Sequence, residues 1–389
     1  MDYYSCFVRP TLIRPVVAAI VVLLAAAWGV AVVPPQASAA APIPGFVFSA
    51  RPLAADQLPS GAAQGTDLVY ATLDQNGRPA MASGVFWTPR GTPPAGGWPV
   101  VSWAHGTTGI ADDCAPSRTR HGDGLEAPVR KALDAGYAVT ATDYAGMGSA
   151  GETEYLGGRA AAHAIVDIIH AARSIDSSLS TRWVSTGHSQ GGHAALFAAR
   201  FAGEYAPDLS LRAAVAIAPV SSIENYFGLF GPRTPGLGRF NGFSGLFLYI
   251  LAGLDHARRD LGIADHLTDN GRRYLDAARE QCYGDLNESL RSTSPGSLVA
   301  KPFDDSAFRD ALRDYAAVPT GGYSVPVRIE HGFLDPVLPY FLSRDLRKEM
   351  RDDGTDVTLK TYLRADHTTV VDESLDDTMR AIKDGFARD

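Results

Sequence analysis

The sequence contains no Lys/Arg-rich run, and its formal net charge is −8, so it lacks the electrostatic footprint of a nucleic-acid-binding protein. Metal and nucleotide signatures are missing too. There is no H-E-x-x-H, no C-x-x-C, and no G-x-G-x-x-G between a strand pattern and a helix pattern. No cofactor and no metal site is therefore expected. The stretch "DYAGMGSAG", residues 143–151, has the glycines of a phosphate loop without its Lys-Ser/Thr, and reads as a tight, close-packed loop near the site. No internal repeat stands out, and low complexity is confined to an Ala/Pro stretch after residue 39. Cysteine is scarce: Cys6, Cys114 and Cys282 are all there are.

Hydrophobic residues make up 46% of the 389 and charged residues 20%, an ordinary globular balance with ample chain for a large core. One apolar run, 15–33, follows Arg9 and Arg14 and precedes the small residues Ala37-Ser38-Ala39. This order is that of a secretory signal peptide spanning 1–39. The run is long enough to serve as a membrane anchor, but small, polar and proline residues follow it and no basic stop-transfer cluster does. Cleavage after Ala39 or close by is expected, with an exported product. Cys6 is badly placed for lipid attachment and leaves with the leader. Cys114 and Cys282 remain, an even pair in an oxidising compartment, and are expected to form a disulfide.

Past residue 66 the pattern turns strand-rich, with "DLVYATLD" and "AMASGVFWTP" joined through Asn76-Gly77, a strong hairpin signal. Strand patterns "PVVSWAHG", "YAVTATDY", "TRWVSTG" and "LRAAVAIAPV" then alternate with helix patterns over 125–135, 158–175 and 190–201. Such alternation predicts βαβ units and a mostly parallel sheet, an α/β fold with helices on both faces. It stops over 221–320, where the patterns are helical and one, "FSGLFLYILAGL", is very apolar. It resumes with "VPVRIEHG", a helix over 338–350, "DVTLKTYL" and a helix over 372–386. The expected organisation is a core in two parts, 40–220 and 321–389, interrupted by an inserted helical cap over 221–320.

Within "WVSTGHSQGGHAALFAARF" the residues Gly187-His188-Ser189-Gln190-Gly191 fit G-x-S-x-G, with a strand before Ser189 and a helix after it. That context predicts the nucleophile turn of α/β-hydrolases. Gly187 and Gly191 are needed because strand and helix backbones approach closely there. A serine hydroxyl needs a base, and in this fold the partners follow in the order Ser, Asp or Glu, His. After Ser189 come His193, on the helix leaving it, His256 and His266, in the expected cap, and His331 and His367. Asp335 stands just beyond a strand, where loops project at the carboxyl edge of a parallel sheet. Its rivals are Glu330, mid-strand, and Asp366, too close to His367 to face its Nδ1. With Asp335 as the acid, His367 alone satisfies the order. Oxyanion donors are expected from the backbone N–H of Gln190 and of Thr107, with Thr108 an alternative, in the loop His105-Gly106-Thr107-Thr108-Gly109.

Together "AHGTTG", "DCAPS", "DYAGMGSAG", "GHSQGG", "HGFLDPVLP" and "ADHTT" resemble the secretory lipase family of the α/β-hydrolase superfamily, over most of the chain from residue 44. The resemblance implies triacylglycerols and simpler carboxylic esters as substrates, with action at a lipid–water interface. It also implies a helical cap over the acyl site and a Ser/Asp/His triad, here Ser189, Asp335 and His367. In a fungal member the cysteine of "DCAPS" is bridged to one in the cap, which corresponds to Cys114 and Cys282. The oxyanion loop departs from that relative, which carries an acidic residue where this chain has His105-Gly106-Thr107. Competing readings are acyl transfer to a sugar or cell-wall alcohol, a serine peptidase on the same fold, and a non-catalytic adhesion module. An intact triad argues against the last.

Overall fold

Side chains along β4, Trp98–Ala104, alternate between two cores: Val100 and Ala104 join one buried cluster, Val101 and Trp103 another. A strand buried on both faces in this way belongs inside a covered parallel sheet. The computed structural model describes residues 43–119, 126–232 and 243–388; the leader, its cleavage site and Cys6 lie outside them. Nine strands form one sheet in the order β1-β2-β3-β5-β4-β6-β7-β8-β9. β1 (Val47–Pro52), β2 (Ala62–Leu73) and β3 (Pro79–Pro89) pair antiparallel, and β3 joins β5 (Ala138–Ala145) the same way. From β5 onward, through β4, β6 (Leu179–His188), β7 (Ser210–Ile217), β8 (Val327–Gly332) and β9 (Val357–Tyr362), all pairs are parallel. The predicted α/β-hydrolase architecture is the one observed.

Helices cover both faces. On one side lie α2 (Gly158–Ile175) and α3 (Gln190–Tyr205), whose alanines let them sit close to the sheet and to each other. On the other side α1 (Glu126–Asp134) and α9 (Thr369–Phe386) contribute Val129, Leu133, Val370 and Ile382 to a second cluster. β4 has β5 on one side and β6 on the other, so the chain reverses its direction of winding there. The loops after β4 and β6 therefore leave the carboxyl edge side by side, the usual place for a site in such sheets.

Between β7 and β8 the described residues contain helices and no strand of the sheet: α4 (Phe243–Ala257), α5 (Asp269–Glu280), α6 (Tyr283–Ser289) and α7 (Ser306–Ala316), with shorter turns. They enclose a third cluster, in which Phe227, Phe247, Phe303 and Phe308 pack ring against ring. Thr268 and Asp305 cap α5 and α7 by accepting from Gly271 and Phe308 N–H groups.

Some boundaries differ from the sequence reading. β1 was not expected, its burial being low, and β2 starts four residues before Thr66. The helix expected over 338–350 is α8, Phe341–Asp352. Asp335 Oδ1 accepts the N–H groups of Val337 and Leu338 in a turn, and Pro339, which disfavours helical geometry at Leu338, delays the start. The last helix starts earlier than residue 372 because Asp366 caps it, accepting from Thr368 and Thr369 N–H at 3.0 and 2.8 Å.

Two buried acids make stability depend on pH. Burial raises Asp167, inside α2, to about 7, although Tyr205 OH donates to it. Burial also raises Glu154 to about 7, against a bond from Gln75 N–H. Their ordinary values are 3.8 and 4.5, so the native state holds these protons longer than the unfolded chain does. Their stabilising contribution is complete below pH 4 and is lost as pH rises to about 7. We expect Asp167→Asn, alone and with Glu154→Gln, to flatten the fall of Tm with pH across this window. Parallel Tm–pH curves for wild type and the double variant would contradict this.

Candidate active site

The turn after β6 is set by a steric constraint. A Cβ on Gly191 would lie 1.9 Å from the Ala104 carbonyl oxygen, and one on Gly187 would lie 2.4 Å from the same atom. No L side chain fits, so helix α3 can start directly against β4 only with glycine at both positions. Ser189 between them has φ 57° and ψ −116°, a strained conformation that its neighbours hold in place. Its N–H donates to the Ile217 carbonyl at 2.9 Å, and its own carbonyl accepts from His193 N–H at 3.1 Å and Val220 N–H at 3.3 Å. The side chain stands at the head of α3, nearly buried.

Three loops bring the expected residues together. Ser189 Oγ lies 3.0 Å from His367 Nε2, and His367 Nδ1 lies 2.6 Å from Asp335 Oδ2. The carboxylate can only accept, so Nδ1 carries the proton and Nε2 is the acceptor for the serine hydroxyl. Asp335 follows β8 and His367 follows β9, both at the carboxyl edge. The rivals fall elsewhere. Glu330 is fully buried and bound to Arg328 and Thr378, Asp366 is half-buried and spent on capping α9, and His193 donates to Ala316 O at 2.9 Å. Burial pushes His193 down to about 4.

Two further histidines surround this line: His188, which sequence did not single out, and His331, which sequence weighed as the base and set aside for His367. His188, at the first variable position of the motif, has Nε2 2.7 Å from the His367 carbonyl oxygen and its ring against the His367 ring at 4.7 Å. Burial, then the neighbouring His367, lowers His188 to about 3, so it is a neutral donor that fastens the His367 loop. His331, four residues before Asp335, has Nε2 3.2 Å from Asp335 Oδ2. Burial alone would raise the Asp335 carboxyl; the bonds from His331 and His367 outweigh it and hold the group well below its ordinary value. The signal for both was present as "GHS" and "EHGFLD", but only folding gives these residues partners.

The loop after β4 approaches from the other side. A Cβ on Gly106 would lie 3.9 Å from Ser189 Cβ, which puts this loop beside the serine. Thr107 Oγ1 pairs with Tyr155 OH at 2.6 Å, whereas the Thr108 carbonyl accepts from Tyr283 N–H at 2.9 Å. Cys114 and Cys282 are bridged, as expected, with Cα atoms 5.4 Å apart. Gly109 bridges to Cys282 as an isolated β pair, and a Cβ there would meet Cys114 Sγ at 2.6 Å. The disulfide thus ties the 105–109 loop to the start of α6.

A cavity of about 360 Å³ borders this site, with nearly all-apolar walls. They include Tyr155, Val220, Pro336 and Leu338, which touch or adjoin Thr107, Ser189 and Asp335. Phe243, Leu246, Phe247 and Ile250 come from α4, while Leu248, Leu251 and Leu254 of the same helix are fully buried in the helical core. The apolar stretch therefore serves both as wall and as core, on two faces of one helix. A larger crevice, about 800 Å³, opens beside His105, Ser117 and Asp143, with Arg118, Glu126 and Arg130 in its walls and no triad residue. The stretch after β5 is tight, as read: a Cβ on Gly146 would lie 2.4 Å from the Glu152 backbone and one on Gly148 would lie 2.2 Å from Ser83 Oγ. No cluster of potential metal ligands occurs among the described residues.

A model of the secretory lipase family matches residues 126–389. The chain belongs to that family. Among curated relatives, it is 26% identical over 368 residues to lipase A of Moesziomyces aphidis, covering 88% of this chain and 76% of that protein. It is also 26% identical over 346 residues to a Mycobacterium tuberculosis protein named "Probable inactive lipase", covering 83% and 73%. Candida antarctica lipase A superposes with a TM-score of 0.74 at 22% identity, over 89% of this chain and 82% of that one. The rice cell wall degrading esterase LipA of Xanthomonas oryzae follows at 0.67 and 21%, over 87% and 95%. At these identities the structural matches speak for the α/β-hydrolase fold alone. Family membership supports a carboxylic ester hydrolase.

For this secretory lipase family member, the disulfide yields an expectation. It closes a loop of 168 residues, for which the chain-entropy account gives an upper figure of about 5 kcal/mol. Reduction should lower hydrolysis of a soluble ester at denaturant concentrations below the global transition, because the 105–109 loop loses its tether first. Activity loss that coincides with global unfolding would contradict this.

Proposed function

We propose that this chain is a secreted serine carboxylic ester hydrolase that cleaves lipid esters, triacylglycerols among them, through an acyl-enzyme on Ser189. The observation that carries the reading is the unbroken line from Ser189 Oγ through His367 to Asp335, at 3.0 and 2.6 Å. One relative is named inactive, but an inactive chain has no need to keep that line in register. Ser189 Oγ attacks the ester carbonyl carbon while His367 Nε2 takes its proton. Asp335 steadies the imidazolium through Nδ1–H. The carbonyl oxygen becomes an anion and is met by the backbone N–H of Gln190, at the open end of α3, and of Thr107. Thr107 is preferred to Thr108 because it faces Tyr155 at the cavity, while Thr108 is tied toward the disulfide. Collapse expels the alcohol with the proton from His367. Water then repeats the sequence and releases the acid.

The apolar cavity supports an acyl chain as the group bound beside the serine, since a pocket of this size and composition favours apolar ligands; the larger crevice, with charged walls, does not suit one. Residues 221–320 act as the cap that supplies its roof. Large apolar side chains exposed in its walls, Tyr226, Leu229 and Phe341, form a rim suited to a lipid–water interface. Export by a leader over 1–39 accords with the family, and no helix among the described residues is long and apolar enough to cross a membrane.

Ser189→Ala should fold normally and lose about 10⁴-fold or more in kcat, and a fluorophosphonate should label wild type at Ser189 alone. His367→Ala should fall within about tenfold of Ser189→Ala, because triad members act as a unit. Labelling that persists in Ser189→Ala refutes the nucleophile. In a p-nitrophenyl ester series, repeated with emulsified triglyceride, Ile250→Trp should lower kcat/KM for long acyl chains at least about tenfold and leave acetate near wild type. An unchanged chain-length profile would place the acyl group elsewhere.

A further inference from the structure

Four donor nitrogens lie within 3.2 Å of Asp335, not one. Oδ1 accepts the Val337 and Leu338 N–H groups, both at 2.8 Å. Oδ2 accepts from His367 Nδ1 at 2.6 Å and lies 3.2 Å from His331 Nε2. His331 is wholly buried, as is the Asp335 side chain. The same Nε2 is 2.9 Å from the Leu338 carbonyl, and Nδ1 is 2.7 Å from Ser343 Oγ. Carbonyl and carboxylate are both acceptors, so His331 Nε2 carries a proton, bonded to the Leu338 carbonyl with Asp335 Oδ2 beside it at 3.2 Å.

Resting on the triad reading above, we infer that His331 is a second, positioning histidine of the site, set by Ser343, which holds Asp335 Oδ2 in place for His367. The need is physical. During turnover His367 gains and loses a proton, so its bond to Oδ2 changes strength at each step. Backbone N–H groups fix Oδ1, but they leave Oδ2 with His367 as its sole partner if His331 is removed. A second donor that takes no part in the proton transfer keeps that oxygen aimed at Nδ1. It also compensates a charge that has no access to water. The chain Ser343–His331–Asp335–His367–Ser189 runs from the first turn of α8 to the nucleophile, and each link is a contact given above.

The test compares His331→Phe, which keeps a ring and removes the donor, with His331→Gln, which keeps an N–H. His331→Phe should lower kcat roughly 10- to 100-fold, the scale of a small misplacement in a catalytic array, with KM within about twofold of wild type. His331→Gln should recover most of that loss. If Gln is as impaired as Phe, the donor is not what matters and the inference fails. A second reading needs no turnover: in ¹⁵N-histidine-labelled protein, the His367 Nδ1–H resonance should move in His331→Phe, since its acceptor loses a competing donor. A resonance at its wild-type position overturns the inference whatever kcat does. Failure of Ser189 as nucleophile would instead show as hydrolysis surviving Ser189→Ala, and would leave the resonance test intact. Should His331→Phe not fold, Ser343→Ala removes only the hydroxyl that orients the ring. It should lower kcat several-fold and move the same resonance, and wild-type behaviour in both would overturn the inference.

Discussion

The contact between the Ala104 carbonyl and the backbone at Gly187 and Gly191 is what the rest of the site depends on. Because that oxygen would lie 1.9 Å from any Cβ at 191, β4, β6 and α3 meet with no side chain between them. Ser189 is left at positive φ, with its hydroxyl standing out from the turn. The strain is held by three backbone bonds, to Ile217, His193 and Val220. The Ile217 and Val220 bonds anchor the turn to the end of β7, where the chain leaves for the helical insertion. One close approach thus fixes the serine, the loop after β4, and the point from which the cavity is built.

The second determinant is the density of donors on Asp335. A buried carboxylate is costly unless its oxygens are satisfied, and here two backbone N–H groups and two imidazoles satisfy them. The same turn that supplies the N–H groups carries Pro336 and Leu338 into the cavity wall. Electrostatics and pocket shape are therefore products of one loop.

The insertion between β7 and β8 is held to the sheet domain by chemistry of different kinds. The disulfide and the Gly109–Cys282 pairing fasten it beside the loop after β4. Ion pairs of Glu152 with Arg259 and Arg279 fasten it beside the loop after β5, though such half-exposed pairs contribute little individually. His193 reaches the Ala316 carbonyl at the far end of the insertion. Its apolar core, with four phenylalanines packed together, is continuous with the cavity wall through the two faces of α4.

The sequence by itself was enough for the α/β class, the strand–turn–helix around Ser189, the chain order that proposes Asp335 and His367 as its partners, and the pairing of Cys114 with Cys282. These are local or enumerable: periodicity reports burial, glycines flanking a serine report a tight turn, and few histidines follow Ser189 in the chain. β1 was hidden because an exposed edge strand has no apolar alternation to reveal it, and α8 began late because Pro339 keeps the residue before it out of helical geometry. His188 and His331 stand inside the motifs, but nothing local names their partners. One matters for a carbonyl 179 residues away in the chain, the other for an oxygen already claimed by His367. Tyr155 reaches Thr107 only because the loop after β5 folds back over the site. Only the tertiary structure decided these, because a hydrogen bond is specified by where two atoms end up and not by the residues that precede them.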